Sequence, residues 1–431
     1  MPDSPHIALV SWGFPPFRGS GTFRPLAVAN ALAEAGARVT VIAASRETFL
    51  VHYGADPGLE SQIDPRVSVH RLPFYPENPW PLIDDWGPER AADPKRFAAE
   101  RRQVLPPFPE KVYESWIPAV GQALRDIDAA DPVALILATG GPYGQIEASV
   151  DVAADLGIPL VIDDRDSFLA DVFTAEPHEW YRQRLSFGLR WFRCAREVWF
   201  VNPPIEQWHS RRFPEYADRF RVVENGWDPG IVDPTTITTG PRTPLRIGYV
   251  GLVPTNFPMD MLLEAWRRVR DSSEHPVELV FTGPLGYTEG SPFWRSMHDR
   301  IRAAEGVSWA GHVSRPELAG VYAGLDALLL AKEGGELVTG GKTYEYAATG
   351  LPIAGVVDPQ SDAVRVLRDY PRFHPVAEPG PDAATAALTA TLADALATTP
   401  GRVAQAQAFG QGLTRRAALD EAVCRVMELA R

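Results

Sequence analysis

Residues 340–343 read Gly-Gly-Lys-Thr, a flexible backbone beside an ammonium and a hydroxyl, the residue types of a phosphate-binding turn. A P-loop has a further glycine five residues before the Gly of its Gly-Lys-Ser/Thr run, so that successive amides wrap two phosphates. Glu336 stands at that place. A carboxylate there repels the ligand, and a P-loop nucleotide hydrolase is excluded. A narrower chemistry survives, in which Gly340, Gly341 and Lys342 hold a phosphate. Thr343 to Thr349 has a helical pattern that Gly350, ahead of Leu351-Pro352, brings to an end. The start of such a helix carries about half a positive charge, with unpaired amides expected at Gly341 to Thr343 next to the Lys342 ammonium. A diphosphate fits that description. Glu345, close behind, is placed to accept two hydrogen bonds from a ribose diol; the plain alternative is a carboxylate sitting favourably near a helix start.

Other turns are judged the same way, because ligands of open α/β sheets gather beyond the carboxyl ends of the strands. The first strand is followed by SWGFPPFRGSGTFRPL, whose Gly19, Ser20 and Gly21 offer amides ahead of a helix. The run is not GxGxxG, and no acidic residue closes the second strand at RVTVIAAS to hold a ribose, which weighs against a nicotinamide dehydrogenase. Later turns are GLVPTNFPMD, with Gly251 and Thr255; TGPLGYTEG, with Gly283; and GHVSRPE, with His312 and Val313.

The elements that must carry these turns are legible as short apolar runs alternating with helical patterns, the mark of parallel α/β sheets. One series comprises 7–11, 38–44, 68–74, 134–140, 159–164, 197–202 and 221–226; a second comprises 245–251, 277–283, 307–313, 327–333 and 351–357. A chain of 431 residues is long enough for two cores. The first domain is expected over 1–227, a Pro- and Thr-rich hinge over 228–244, the second domain over 245–400, and a final helix over 401–431 packing back on the first domain; the Ala-rich end from Asp382 reads as two helices. The Pro- and Trp-rich stretch 75–109 reads equally as a cover for the sheet edge or a lid over an acceptor.

A net charge of -13 argues against nucleic-acid binding and against anionic membrane surfaces. Cys194 and Cys424, far apart and outside any CxxC, read as reduced thiols, and the nine histidines show no metal-ligand spacing. The first residues lack the apolar stretch of a signal peptide and no run approaches the ~20 apolar residues of a membrane helix, so a cytoplasmic location is expected.

In order and spacing the GSG turn, VENGWD before the hinge, GHV after a strand, and GGKTYEYAATGLPIAG resemble the GT-B fold, and more narrowly the family-4 retaining glycosyltransferases. The most specific piece is KTYEYAATGLP, similar to the family's K-[LF]-x-E-Y-x-A-x-G-x-P run, in which the Glu binds ribose. The resemblance implies two Rossmann-like domains facing across a cleft, with Glu345 on the ribose and Gly19, Ser20, Gly21, Gly251, Thr255, Gly283, His312, Val313, Gly340, Gly341, Lys342 and Thr343 around the donor. IDDRDSF resembles a D-x-R-D run and brings in Arg165 and Asp166. The chain also departs from the family. The earlier Glu of its Glu-x(7)-Glu pattern is Leu337 here, with Glu336 or Glu333 as substitutes, and the Arg and Lys after the first strand of the second domain are missing from GLVPTNFPMD. Phosphate charge then falls to Lys342, the helix start, and Arg18 or Arg165. ATGGPYGQ replaces a family histidine, so Gly140, Gly141 and Tyr143, with Arg165 and Trp80, are expected at the acceptor.

The implied reaction moves a sugar from a UDP- or GDP-linked donor to a small soluble acceptor such as a natural-product intermediate, a cyclitol or a low-molecular-weight thiol. Lys342, Glu336 and Asp166 are the candidate catalytic residues. No cofactor and no metal are called for, and a homodimer is admitted. Polysaccharide assembly at the cell surface, an inverting transferase or epimerase using Asp166 as base, and a silent sugar-nucleotide-binding partner are the competing readings.

Overall fold

The computed structural model describes residues 4–74, 92, 108–237, 240, 242–255, 257–286, 289–332, 335 and 337–431. Trp80, Glu333 and Glu336, and nearly all of the 75–109 stretch, lie outside the described residues.

The chain divides into two compact units, each built on one parallel sheet. The first unit takes in residues up to Asp171, Glu176–Glu224 and Leu419–Arg431. Its strands are β1 (His6–Val10), β2 (Arg38–Ala44), β3 (Val67–Leu72), β4 (Leu135–Thr139), β5 (Leu160–Asp163), β6 (Glu197–Phe200) and β7 (Phe220–Val222), arranged β3-β2-β1-β4-β5-β6-β7. β1 and β4 are buried along their whole length, which is why they read as continuous apolar runs with no alternation. Helix Phe23–Glu34 covers one face through Leu26, Val28, Ala29 and Leu32, and the chain turns away at Gly36 with φ of 95°.

The second unit takes in Val172–Ala175 and Asn225–Ala418. Its strands are β8 (Leu245–Val250), β9 (Val277–Thr282), β10 (Val307–Trp309), β11 (Ala327–Ala331), β12 (Ile353–Val356) and β13 (Phe373–Pro375), arranged β10-β9-β8-β11-β12-β13. In both sheets the strand order reverses beside the first strand of the unit, at β1/β4 and at β8/β11. Crossovers leave that seam toward opposite faces and open a crevice there. The GSG turn and Gly140-Gly141 stand at one seam; Gly251 and the Gly340–Lys342 run, on the chain that follows β11, stand at the other.

Several expected boundaries shift. The segment 228–244 is no free hinge, since Ile231, Val232 and Ile237 are buried in the core of the second unit. The second unit runs on to Ala418. The Ala-rich end forms three helices, Pro381–Leu396, Pro400–Gln411 and Arg415–Leu429, because Thr399-Pro400 starts a new helix and Gly412 ends it. From Leu419 onward the last helix gives Leu419, Ala422, Val423 and Val426 to the first unit's core.

Candidate functional site

In the second unit the helix Gly341–Thr349 begins at Gly340 and ends at Gly350, whose φ of 79° is the left-handed stop expected there. Its first turn differs in one respect from expectation. The amide of Thr343 donates to the carbonyl of Gly340 at 3.0 Å, a tight first turn that withdraws it from a ligand. Gly341 and Lys342 remain the helix-start amides without an intrahelical acceptor by position. Lys342 and Glu345, three residues apart, share one face.

The Lys342 ammonium donates to the Tyr249 hydroxyl at 2.7 Å and the Leu252 carbonyl at 3.1 Å, and lies over the Tyr249 ring, 4.3 Å from its centre. Burial pulls it down from the usual 10.5 to about 8, against the opposing pull of Glu345. Two glycines make room for it. A Cβ on Gly251 would meet the Lys342 Cε at 2.4 Å, and one on Gly283 would meet the Gly251 carbonyl oxygen at 2.6 Å; both have φ above 120°. The turns past β8, β9 and β10 interlock through backbone, Gly251 donating to Thr282 at 2.7 Å and Gly283 to Gly311 at 2.8 Å.

Glu345 is partly buried, and its Oε2 accepts from the Tyr322 hydroxyl at 3.1 Å. Burial raises its carboxyl above the usual range, while Tyr322, Arg315 and Lys342 hold it back. Arg315, in the GHVSRPE turn, is in turn held by Asp228 of VENGWD at 3.1 Å, and Asp228 also receives Arg415 at 2.8 Å. Neither Tyr322, Arg315 nor Tyr249 was picked out by sequence reasoning. The signal for Arg315 was present two residues past Val313, but nothing in its spacing linked it to Asp228. Thr255 and His312 are exposed, and Val313 and Gly283 line the same strand ends.

In the first unit Gly140, Gly141, Arg165, Asp166 and the GSG turn come together at the β1/β4 seam. Arg165 is half-buried and engaged with backbone. Its guanidinium donates to the carbonyls of Gly21 at 3.1 Å, Gly140 at 3.0 Å and Gly141 at 3.3 Å, so it clamps the two turns to each other. Tyr143 also departs from expectation, since it is buried against Phe168 and Trp191 as core while its amide donates to the Glu110 carboxylate at 2.6 Å. Asp166 is exposed and makes no ion pair among the described residues; its Oδ2 would lie 3.2 Å from a Cβ on Gly141. Its buried neighbour Asp164, which sequence reasoning passed over, is pushed up to about 7 by burial, although the Phe168 amide caps it at 3.1 Å. Ser167 between them and the next strand of chain adopts φ of 56°, a left-handed conformation rare outside glycine.

No protein-family model and no curated protein sequence matches the chain. Solved structures do. A glycosyltransferase from Rickettsia africae superposes with a TM-score of 0.66 at 12% identity over 100% of this chain and 99% of its own. Sucrose-phosphate synthase from Thermosynechococcus elongatus gives 0.65 at 16%, covering 99% of each chain. HepE from Anabaena, solved in complex with UDP, gives 0.62 at 14% over 98% of this chain and 99% of its own.

The fold is GT-B.

Within the GT-B fold each candidate cluster belongs to one unit: Gly19–Gly21, Gly140, Gly141, Arg165 and Asp166 to the first, and Gly251, Thr255, Gly283, His312, Val313 and Gly340–Glu345 to the second. Among the described residues no group of three or more His, Cys, Asp or Glu side chains is arranged to hold a metal ion. No helix among them is long and apolar enough to cross a membrane.

Proposed function

We propose that the protein is a retaining glycosyltransferase that moves a sugar from a UDP- or GDP-linked donor to a small soluble acceptor. One observation carries the reading: an ammonium and a carboxylate, Lys342 and Glu345, sit on one face of a helix that starts where the second sheet's strand order reverses. The helix start and Lys342 suit a diphosphate, and Glu345 suits the ribose hydroxyls attached to it. When the bond from the anomeric carbon to the diphosphate breaks, charge grows on the departing oxygen. A fixed ammonium and fixed amides stabilise that charge more than they stabilise the intact donor, which lowers the barrier. The leaving phosphate takes the proton of the acceptor hydroxyl, amine or thiol as the new glycosidic bond forms on the same face. The equation balances without a protein base.

Purified protein incubated with UDP-, GDP- and dTDP-sugars and a panel of natural-product, cyclitol and thiol acceptors is expected to give a glycoside with the donor's anomeric configuration, read by NMR. Donor binding without transfer to any acceptor and without slow donor hydrolysis would reject the enzyme and leave a silent binder. The exposed, unpaired Asp166 carboxylate supports a second reading, inverting transfer or epimerisation with Asp166 as base. That reading requires an inverted product, or sugar interconversion, that Asp166→Asn abolishes.

Glu345→Gln is expected to weaken UDP or GDP binding about tenfold or more, since charge-assisted bonds contribute about 1.5–3 kcal/mol each. Titration of the nucleotide beside its 2′,3′-dideoxy analogue checks the assignment. The variant and the wild type should bind the analogue alike, and a penalty that persists with the analogue places the ribose elsewhere.

A further inference from the structure

Lys332 follows β11 directly and stands at the same seam of the second sheet as Gly251 and Lys342. Its ammonium is buried and finds no hydrogen-bond acceptor among the described residues. The ring of Phe173, in the Val172–Ala175 stretch that packs with this unit, lies 4.9 Å away and is a weak partner. Gly335 is pressed against it, for a Cβ there would stand 2.5 Å from the Lys332 Nζ. The side chain lines a cavity of about 100 Å³ together with Met261, Val356, Asp358, Val376 and Gly380. Asp358 does not neutralise it: that carboxylate accepts from the Gln360 amide at 2.8 Å and makes no ion pair with Lys332.

Among the described residues the buried or half-buried arginines of this unit pair with carboxylates. Arg242 pairs with Asp326, Arg315 and Arg415 with Asp228, and Arg372 with Asp394. Lys332 instead faces a like charge, and its repulsion is one of the influences that lower Lys342. A buried ammonium with no counter-charge is costly to a fold. Lys342, at the start of the helix Gly341–Thr349, adds a like charge, and a bound anion that both ammonium groups reach removes the penalty.

We propose that Lys332 is the second cation of a diphosphate site, sharing with Lys342 the charge of one bound nucleoside diphosphate. The inference rests on the nucleotide-sugar reading above. It assigns to a residue after β11 the phosphate contact that the turn after β8, GLVPTNFPMD, has no basic side chain to make. Because Lys332 touches the anion and not the nucleoside, it governs the preference for a diphosphate over a monophosphate.

The full chain titrated calorimetrically with UDP, UMP, GDP, GMP and inorganic pyrophosphate tests this, with Lys332→Met and Lys332→Arg beside the wild type. Lys332→Met is expected to cut the diphosphate-over-monophosphate preference at least tenfold, and Lys332→Arg to restore most of it. The unliganded Lys332→Met protein should melt at the same temperature as wild type or higher, since it loses an unpaired buried charge. A preference within twofold of wild type, or a melting temperature several degrees lower, overturns the assignment. Should the wild type bind pyrophosphate through Lys332 but no nucleotide, the anion site stands and the nucleotide-sugar reading falls. Binding of none of the probes sinks both.

Discussion

Lys342→Met is expected to lower turnover with the cognate nucleoside-diphosphate sugar by about 10²–10³-fold, the loss seen when one preorganised charge-stabilising donor is removed. Methionine keeps the length of the stem and its packing under Gly251, so the effect isolates the charge. The loss should fall mainly on kcat, because the ammonium acts on charge that develops as the diphosphate leaves. A fall confined to KM would instead mean that the ground state and transition state are held alike. The acid–base behaviour of the same group supplies an independent check. Lys342 and Lys332 are both pulled from the usual 10.5 to about 8 by burial. Diphosphate affinity should therefore decline as pH rises above about 8, where the ammonium groups lose their protons, and the decline should be shallower in either Lys→Met variant. The unliganded protein should move the other way. Between about 8 and 10.5 its unfolded state binds more protons than its folded state, so stability rises with pH across that window. Parallel pH titrations of binding and of melting temperature would separate the two trends.

Arg24→Met should destabilise the first unit by about 3–5 kcal/mol, as breaking a buried ion pair from one side does. Arg24 and Asp163 are 2% and 1% exposed, and the guanidinium donates to both carboxylate oxygens at 2.9 Å. It also donates to the Glu224 carbonyl at 3.0 Å, which ties the first helix to the end of the unit's last strand segment. Removing the arginine leaves the Asp163 carboxylate in the core with Thr139 at 3.1 Å as its one side-chain donor among the described residues. Chemical denaturation would show the loss in the midpoint. Arg24→Met paired with Asp163→Leu should recover part of it, because removing both charges costs less than stranding one.

How much was legible follows from what each feature depends on. The strands at 7–11 and 134–140 announced themselves because parallel strands buried on both faces read as apolar runs, and those at 38–44, 245–251 and 277–283 because a mostly apolar run survives around one or two polar residues. β13 escaped because Phe373–Pro375 is three residues long and ends in proline. The helix behind Gly340 was located with its stop, and Lys342 and Glu345 were found with it, since their spacing is local. What the sequence did not reveal is pairing over distance. Nothing in IDDRDSF told that Arg165 turns onto the carbonyls of Gly21, Gly140 and Gly141, and nothing in ATGGPYGQ told that Tyr143 points inward to Trp191. Arg315 and Asp228 are 87 residues apart and meet only through the fold. Lys332 was passed over for the same reason: a lysine at the end of a strand is ordinary until its surroundings show no counter-charge among the described residues.

The return of the last helix to the first unit gives the chain a nested order of assembly. The core that Phe23–Glu34 begins is finished by Leu419, Val423 and Val426, almost four hundred residues later, with the whole of the second unit emerging in between. While the polypeptide is being synthesised from its amino end, the first unit waits with part of its apolar surface uncovered until the second has been made. Closing so long a loop is entropically slow. A premature stop just before Leu419 would therefore spare every candidate ligand residue and still leave the first unit open to proteolysis and aggregation.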